Sequence, residues 1–372
     1  MRFASLLLLA SLSLPALAAG PPAAPRSVTD DRGRPRFGTY AGSVPDIDFS
    51  KLKGKYKTHW YDKLVHLKKW VFTSVYAKTA AGRHLAVVDF IGDLGYVSAG
   101  FMAVYDLDAR KKIAGRNFTG LPKEGSVSRQ PAEALKARFK TAGAHFSSER
   151  PRGTGGYRHR ASMSAARGAP AVELDVVLHA NDTAALTVVA PVGPHAVAVT
   201  QTSQALSGAG ALRIGGITHQ LVEVHGAIEY AFGNLARHTK WHWASASGFL
   251  SDGRRFGLNL VEGFDENDLG ASENALWAGR ELIPLPKVKF EFDRKDTMKP
   301  WRVVNASASD RFRLDLRFTA FSRHANHTNL AVSRTDYEQP IGTWSGQVVD
   351  SQTGESFQFT ATGLAENQDA KW

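Results

Sequence analysis

The sequence predicts an all-β protein, two antiparallel β-barrels or sandwiches packed together with few short helices. Three observations carry this. Short runs rich in Val, Ile, Phe, Thr and Trp recur along the 372 residues. Turn signals such as Asp252-Gly253 and Thr353-Gly354 separate several of them. Stretches of helical composition are few. Evenly spaced short strands are the pattern of barrels and sandwiches. The length suits two ordinary domains, and a composition of 43% hydrophobic and 22% charged residues suits a globular chain.

The first element reads as a leader. Met1-Arg2 is followed by an apolar run from Phe3 to Leu14 and by Pro15-Ala16-Leu17-Ala18-Ala19. A charged start, a short apolar core and a small-x-small site read as a signal peptide over 1–18, cut after Ala18. A spanning helix needs about 20 apolar residues. The chain has no cysteine, which excludes disulfides, thiolate metal sites and cysteine-linked lipid. The expected location is therefore periplasmic or secreted, in a bacterium, with no transmembrane segment in the mature chain.

Residues 19–46, rich in Pro, Gly and charge, read as a flexible N-terminal arm. A first β domain is expected over 47–208 and a second over 209–372, joined near Gln204–Gly210. Tyr61–Trp70 suits a short helix or strand entry. Trp70–Ala77, His84–Ile91 and Gly95–Asp106 read as strands. Residues 109–168 break the rhythm as a basic insertion, with helical composition at Pro131–Ala144. Strands resume at Ala171–Leu178, Ala185–Val192 and Ala196–Thr202. The second half gives Ala211–Ile214, Ile217–Val224, Thr239–Ser247, Phe256–Val261, Val288–Asp293, Trp301–Ala306, Arg311–Phe318, Gly342–Asp350 and Ser356–Thr362.

The net charge of +11 is concentrated. Residues 109–168 hold 14 Lys/Arg against three Glu, and the rest is close to neutral. This reads as a solvated, partly flexible loop region, or as a patch for an anionic envelope surface. Export argues against nucleic acid as a partner.

Chemistry concentrates between Glu229 and Asn274. In a strand over Thr239–Ser247, His238, Lys240 and His242 share one face and Trp241 and Trp243 the other. Glu229 beside His and Trp is a candidate general acid whose pKa apolar surroundings would raise. The candidate catalytic pair is Glu229 and His242. The candidate ligand-binding residues are Trp241, Trp243, Lys240, Asn259, Glu262 and Asn274. Metal is not expected: His238 and His242 would stand roughly 13 Å apart along a strand, and no His-Glu-x-x-His helix occurs. The signatures of serine hydrolases, phosphate loops and dinucleotide sites are absent, and no cofactor is expected.

A set of motifs gives a resemblance. Glu229-x-x-x-Gly233, Arg237-His238-Thr239-x-Trp241-x-Trp243-Ala244, Gly257-Leu258-Asn259-Leu260 with Gly263, Glu273-Asn274, Pro300-Trp301 and Gln339-Pro340-Ile341-Gly342-Thr343-Trp344-Ser345-Gly346 resemble domain-of-unknown-function family 2804. That family is similar to the lipocalin-like group of carotenoid hydratases and tocopherol cyclases. The resemblance implies two lipocalin-like barrels with a cavity for an apolar ligand. Where the family carries Asp and Lys, this chain has Glu229 and Gln204. Two functions follow as expectations. One is an exported protein that binds a lipid- or isoprenoid-like molecule in a β-barrel cavity. The alternative is a cofactor-free acid/base hydratase, isomerase or cyclase acting on such a molecule, with the Trp faces holding a cation.

Overall fold

The computed structural model describes residues 20–166, 168–264, 269–329 and 333–372. The expected leader at 1–18 lies outside the described residues. Two antiparallel sheets account for nearly all regular structure. The first contains β1 (Gly38–Ala41), β2 (Leu67–Thr79), β3 (His84–Asp93), β4 (Ser98–Asp106), β5 (Lys111–Gly120), β6 (Gly125–Val127), β7 (Leu135–Thr141), β8 (Ala144–Arg150), β9 (Gly156–Met163), β10 (Val172–His179), β11 (Leu186–Pro191), β12 (Val197–Leu206), β13 (Gly208–Ile214) and β14 (Ile217–Asn234). The second contains β15 (His238–Phe249), β16 (Arg255–Glu262), β17 (Ala275–Ala278), β18 (Glu281–Pro284), β19 (Val288–Glu291), β20 (Trp301–Asn305), β21 (Phe312–Asn329), β22 (Arg334–Asp350) and β23 (Ser356–Lys371).

Each sheet curls around its own core, as in a lipocalin-like fold. In the first, β14 is the hub. It pairs with β2 along one edge, and along the other with β13 and then β12. The sheet's far end returns at β6, where Gly125 packs so tightly that a Cβ would lie 2.4 Å from Ser98. In the second, the end strand β19 comes back to β16, and the Phe290 N–H donates to Glu262 Oε2 at 2.9 Å across the seam.

Three large apolar layers result, with smaller ones beside them. Val71, Val75, Val87 and Met102 point into the first barrel with Phe139 and Phe146. Trp301, Phe318, Trp344 and Phe359 fill the second. Between the barrels lies a third layer: Phe72, Tyr76, Phe101 and Tyr105 from the first sheet, Trp243, Val261, Tyr337 and Leu364 from the second. Strand β2 is therefore buried on both faces, which is why every residue from Trp70 to Ala77 is buried, the polar Thr73 and Ser74 included.

The structure departs from the sequence reading at four places. The sheet changes at Leu235–Arg237 rather than at residue 208, because β13 and β14 pair with β10 and β2 of the first barrel. Residues 135–141, of helical composition, form strand β7. There Leu135, Ala137 and Phe139 are buried while Lys136, Arg138 and Lys140 are exposed, a period of two that overrides propensity. The basic segment is barrel wall, β5 to β9, with its cations on the outer face. The arm is anchored rather than loose: Val28 and Val44 are fully buried, and the Ala24 N–H donates to Ala41 O at 2.8 Å.

Glycine is required where β21 meets β22. A Cβ on Gly342 would lie 2.2 Å from Thr319 O, beside the bulge at Ala320/Ser322. Gly342→Ala is expected to cost ~3 kcal/mol, the upper end for a single change. The shift in the urea midpoint measures it.

Candidate functional site

A cavity of about 160 Å³ opens chiefly in the layer between the barrels, not inside either one. Strand β2 contributes Trp70 and Phe72, β4 contributes Phe101, and β14 contributes Glu229. From the second sheet come Trp241 and Trp243 of β15, Val261 of β16, Tyr337 of β22 and Glu366 of β23. Half-buried Phe264 and Trp372 line it as well.

The walls are aromatic. Trp70 and Trp241 stack at 6.3 Å, nearly parallel at 10°, with Phe264 edge-on to Trp241 at 5.6 Å. Phe72 meets Trp243 edge-on at 5.3 Å. The Trp243 indole donates to Asn259 Oδ1 at 2.9 Å, and Asn259 Nδ2 donates to Glu273 O at 2.9 Å. Asn259 thus holds the orientation of Trp243 from behind.

Three glutamates line this space, Glu229, Glu273 and Glu366, and of these Glu229 and Glu366 repel each other and are hydrogen-bonded unequally. Glu366 accepts from Trp241 Nε1 at 2.6 Å, Tyr337 OH at 3.0 Å and Gln339 Nε2 at 3.2 Å. Burial raises its pKa, and those three donors oppose the rise. Glu229 Oε2 is shielded from solvent with no hydrogen-bond partner. Burial, then the Glu366 charge, push Glu229 up to about 7, against a smaller opposing bond from Trp70. When two carboxyls repel, one proton stays in the pair. The donor count places the charge on Glu366 and the proton on Glu229.

The sequence-derived candidates separate into two groups. Glu229, Trp241 and Trp243 meet at the cavity, and Asn259 supports them. His242 does not reach Glu229. Alternation turns it toward Phe292 at 4.9 Å and Arg294 at 3.3 Å, on the opposite face of β15 from the tryptophans. Burial, helped by Arg294, lowers its pKa to about 4, so the ring is neutral. Lys240 pairs with Asp369 at 2.7 Å on the exposed side. Glu262 closes the second barrel's seam, as above. Asn274 accepts from the Val261 N–H at 2.7 Å and donates to Pro286 O at 3.0 Å, tying backbone together outside the cavity. Gln204 donates to Ser245 Oγ at 2.9 Å where the barrels touch. Glu366, Tyr337, Trp70 and Phe72 escaped the sequence reading. Among the described residues no group of three His, Asp or Glu side chains could hold a metal ion. Nor is any helix among them long and apolar enough to cross a membrane.

The sequence carries the signature of the family described as domain of unknown function (DUF2804) over residues 22–372. The chain belongs to the DUF2804 family. No curated protein matches this DUF2804 sequence significantly. Its fold is shared with an AttH-like protein of Nitrosomonas europaea at 11% identity and a TM-score of 0.51, covering 82% of this chain and 92% of the other. It is also shared with kievitone hydratase of Nectria haematococca at 12% identity and a TM-score of 0.54, covering 83% and 92%. At such identities the likeness establishes the lipocalin-like architecture of this DUF2804 member, and function has to be argued from its own site.

Proposed function

We propose that this DUF2804 protein is exported and is a cofactor-free acid/base enzyme acting on an apolar alkene-bearing molecule. The observation that carries the reading is the unequal carboxyl pair in one aromatic cavity, Glu366 accepting three hydrogen bonds and Glu229 Oε2 accepting none. A carrier needs only the apolar walls. A buried acid beside a buried, hydrogen-bonded base costs stability, and proton transfer gives that cost a use. A hydratase built on the same fold supports this class of chemistry.

In the proposed step the Glu229 O–H bond breaks and a C–H bond forms from the alkene π pair. The cation left on the neighbouring carbon lies against the faces of Trp70, Trp241, Phe72 and Trp243, each able to stabilise it by roughly 0.5–2 kcal/mol. The cation then closes in one of two ways. Water adds and gives its proton to Glu366, or an adjacent C–H loses its proton to Glu366. Either way Glu229 ends ionised and Glu366 protonated, and proton exchange resets the pair. Engineered cavities of roughly 150 Å³ hold benzene. A space of about 160 Å³ therefore takes one ring or one isoprene unit, with the rest of the molecule extending past Phe264 and Trp372.

The test is incubation of the protein in D₂O with a panel of isoprenoid and aryl alkenes, followed by mass spectrometry. Deuterium incorporation or water addition by the wild type supports the enzyme. A ligand that co-purifies and is never altered, equally retained by Glu229→Gln, sinks it in favour of the carrier.

The protonation state fixes two pH dependences. Turnover needs Glu229 protonated, so kcat should be highest below pH 7 and fall about tenfold per unit above it. The folded-state pKa is raised, so the native state holds the proton more tightly than the unfolded chain. Stability conferred by that proton is present below pH 4.5 and is lost as pH rises through about 7. Thermal melts should show Glu229→Gln gaining on the wild type between pH 5 and pH 8.

A further inference from the structure

The loop before β2 carries an arrangement that the cavity does not use. Trp60 is 78% exposed and Tyr61 44% exposed, among the largest apolar exposures in the described residues. Single exposed apolar side chains are ordinary, but here the rings cluster. His59 stacks flat on Tyr61 at 5.3 Å, and Trp60 meets Tyr61 edge-on at 6.0 Å. Immediately before them stand Lys51, Lys53, Lys55 and Lys57, all exposed. Lys51 approaches Asp48 at 4.0 Å. Lys53, Lys55 and Lys57 have no ion-pair partner among the described residues, and Lys55 lies over the Tyr56 ring at 5.0 Å.

We propose that this Lys51–Tyr61 loop docks the protein on an anionic lipid bilayer, with Trp60 and Tyr61 in the headgroup region and the lysines on lipid phosphates. Amphipathic rings flanked by lysines match both layers of a bilayer surface: the rings suit the interface and the cations its negative charge. The loop's place in the fold is the second observation. A short helical turn at Asp62–Val65 leads from it directly into β2. His66 Nδ1 there bonds Leu235 O at 3.1 Å, and Leu235 packs with Trp70 and Trp372 of the cavity wall. Lys68, two residues on, lies over both Tyr96 at 4.8 Å and Trp372 at 5.5 Å. Tyr96, 38% exposed, sits in the turn between β3 and β4 at this same end. The loop thus stands beside the Trp372 end of the cavity. An apolar molecule dissolved in a bilayer would reach the aromatic walls without crossing water. The basic outer wall of β5 to β9 is the rival surface. It carries more charge but no comparable ring cluster.

The experiment is co-sedimentation of the full chain with vesicles of phosphatidylcholine mixed with phosphatidylglycerol, against vesicles of phosphatidylcholine alone. The wild type is expected to bind the anionic vesicles selectively and to be released by high salt. Replacing Lys53, Lys55 and Lys57 together by Gln should weaken binding roughly a hundredfold, at about tenfold per 1.4 kcal/mol and near 1 kcal/mol for each lysine. Trp60→Ala with Tyr61→Ala should weaken it independently. All five residues are exposed, so circular dichroism should be unchanged. Lys136→Gln, Arg138→Gln and Lys140→Gln on the outer wall form the control. The proposal is overturned if the wild type fails to bind, if it binds neutral vesicles equally well, or if binding survives the loop changes and is lost in the outer-wall control. The assay involves no chemistry, so its failure leaves the proton-transfer reading of the cavity standing.

Discussion

Glu229→Gln yields a folded protein that still takes up apolar molecules and no longer turns them over. Gln keeps the shape of the protonated acid and removes its transferable proton. General acid catalysis contributes typically 10²–10⁴-fold, and where protonation starts the reaction the loss should lie at the upper end. Uptake, read by quenching of the cavity tryptophans, should be unchanged, since Glu229 is already neutral when protonated. The complementary change, Glu366→Gln, removes the base that takes the final proton, so turnover should be lost here too. It also removes the charge that repels a second anion, so the Glu229 pKa should fall part of the way toward its ordinary value while burial still holds it up. If Glu229→Gln retains full turnover, the assignment of the acid is wrong, whatever happens at Glu366.

Trp277→Ala is expected to be the most destabilising single change. Trp277 of β17 is fully buried in a small apolar layer where β11 and β12, through Leu186, Val188 and Ala205, meet Ala275 and Leu282 of the second sheet. Its indole donates to Ala184 O at 2.8 Å. Truncating a buried Trp costs ~3–5 kcal/mol, and stranding the Ala184 carbonyl adds ~1 kcal/mol or more. The loss falls on contacts between the barrels. Guanidinium unfolding should therefore shift and split into two transitions, one for each sheet. A single transition with an unchanged midpoint would show that the barrels cohere without it.

Much of this architecture is legible in the sequence because a strand's period of two is a local signal. Thr239–Ser247, Phe256–Val261 and Trp301–Ala306 lie on strands close to their expected bounds, and the shared face of Trp241 and Trp243 follows from alternation alone. Residues 131–144 mislead because Ala, Lys and Arg favour helix, while the alternation of Leu135, Ala137 and Phe139 with cations carries the stronger tertiary signal. The domain boundary is illegible for a different reason. Nothing local to β13 or β14 says which sheet they join, since that depends on pairing with β2 far upstream. The same distance hides Glu366. It reads as an acid in a terminal strand until Trp241, 125 residues away in the chain, is seen to donate to it. Glu229 is legible only because it stands close in sequence to the tryptophans it serves.

The hub position of β14 has a consequence for how the chain is made. Strand β2 exposes one long edge until β14 arrives, and β14 begins only at Ile217. A ribosome that has released the first two hundred or so residues has therefore delivered a barrel lacking its keystone. Such a nascent chain cannot close its core, because the loop to be closed is most of the domain. Closure of the first barrel therefore waits until β14 has emerged, when the second sheet is still to be made. In the export proposed above, the chain would stay open over that interval. Holding chaperones would meet it during that interval, with the Trp70–Tyr76 run as the apolar segment most in need of cover.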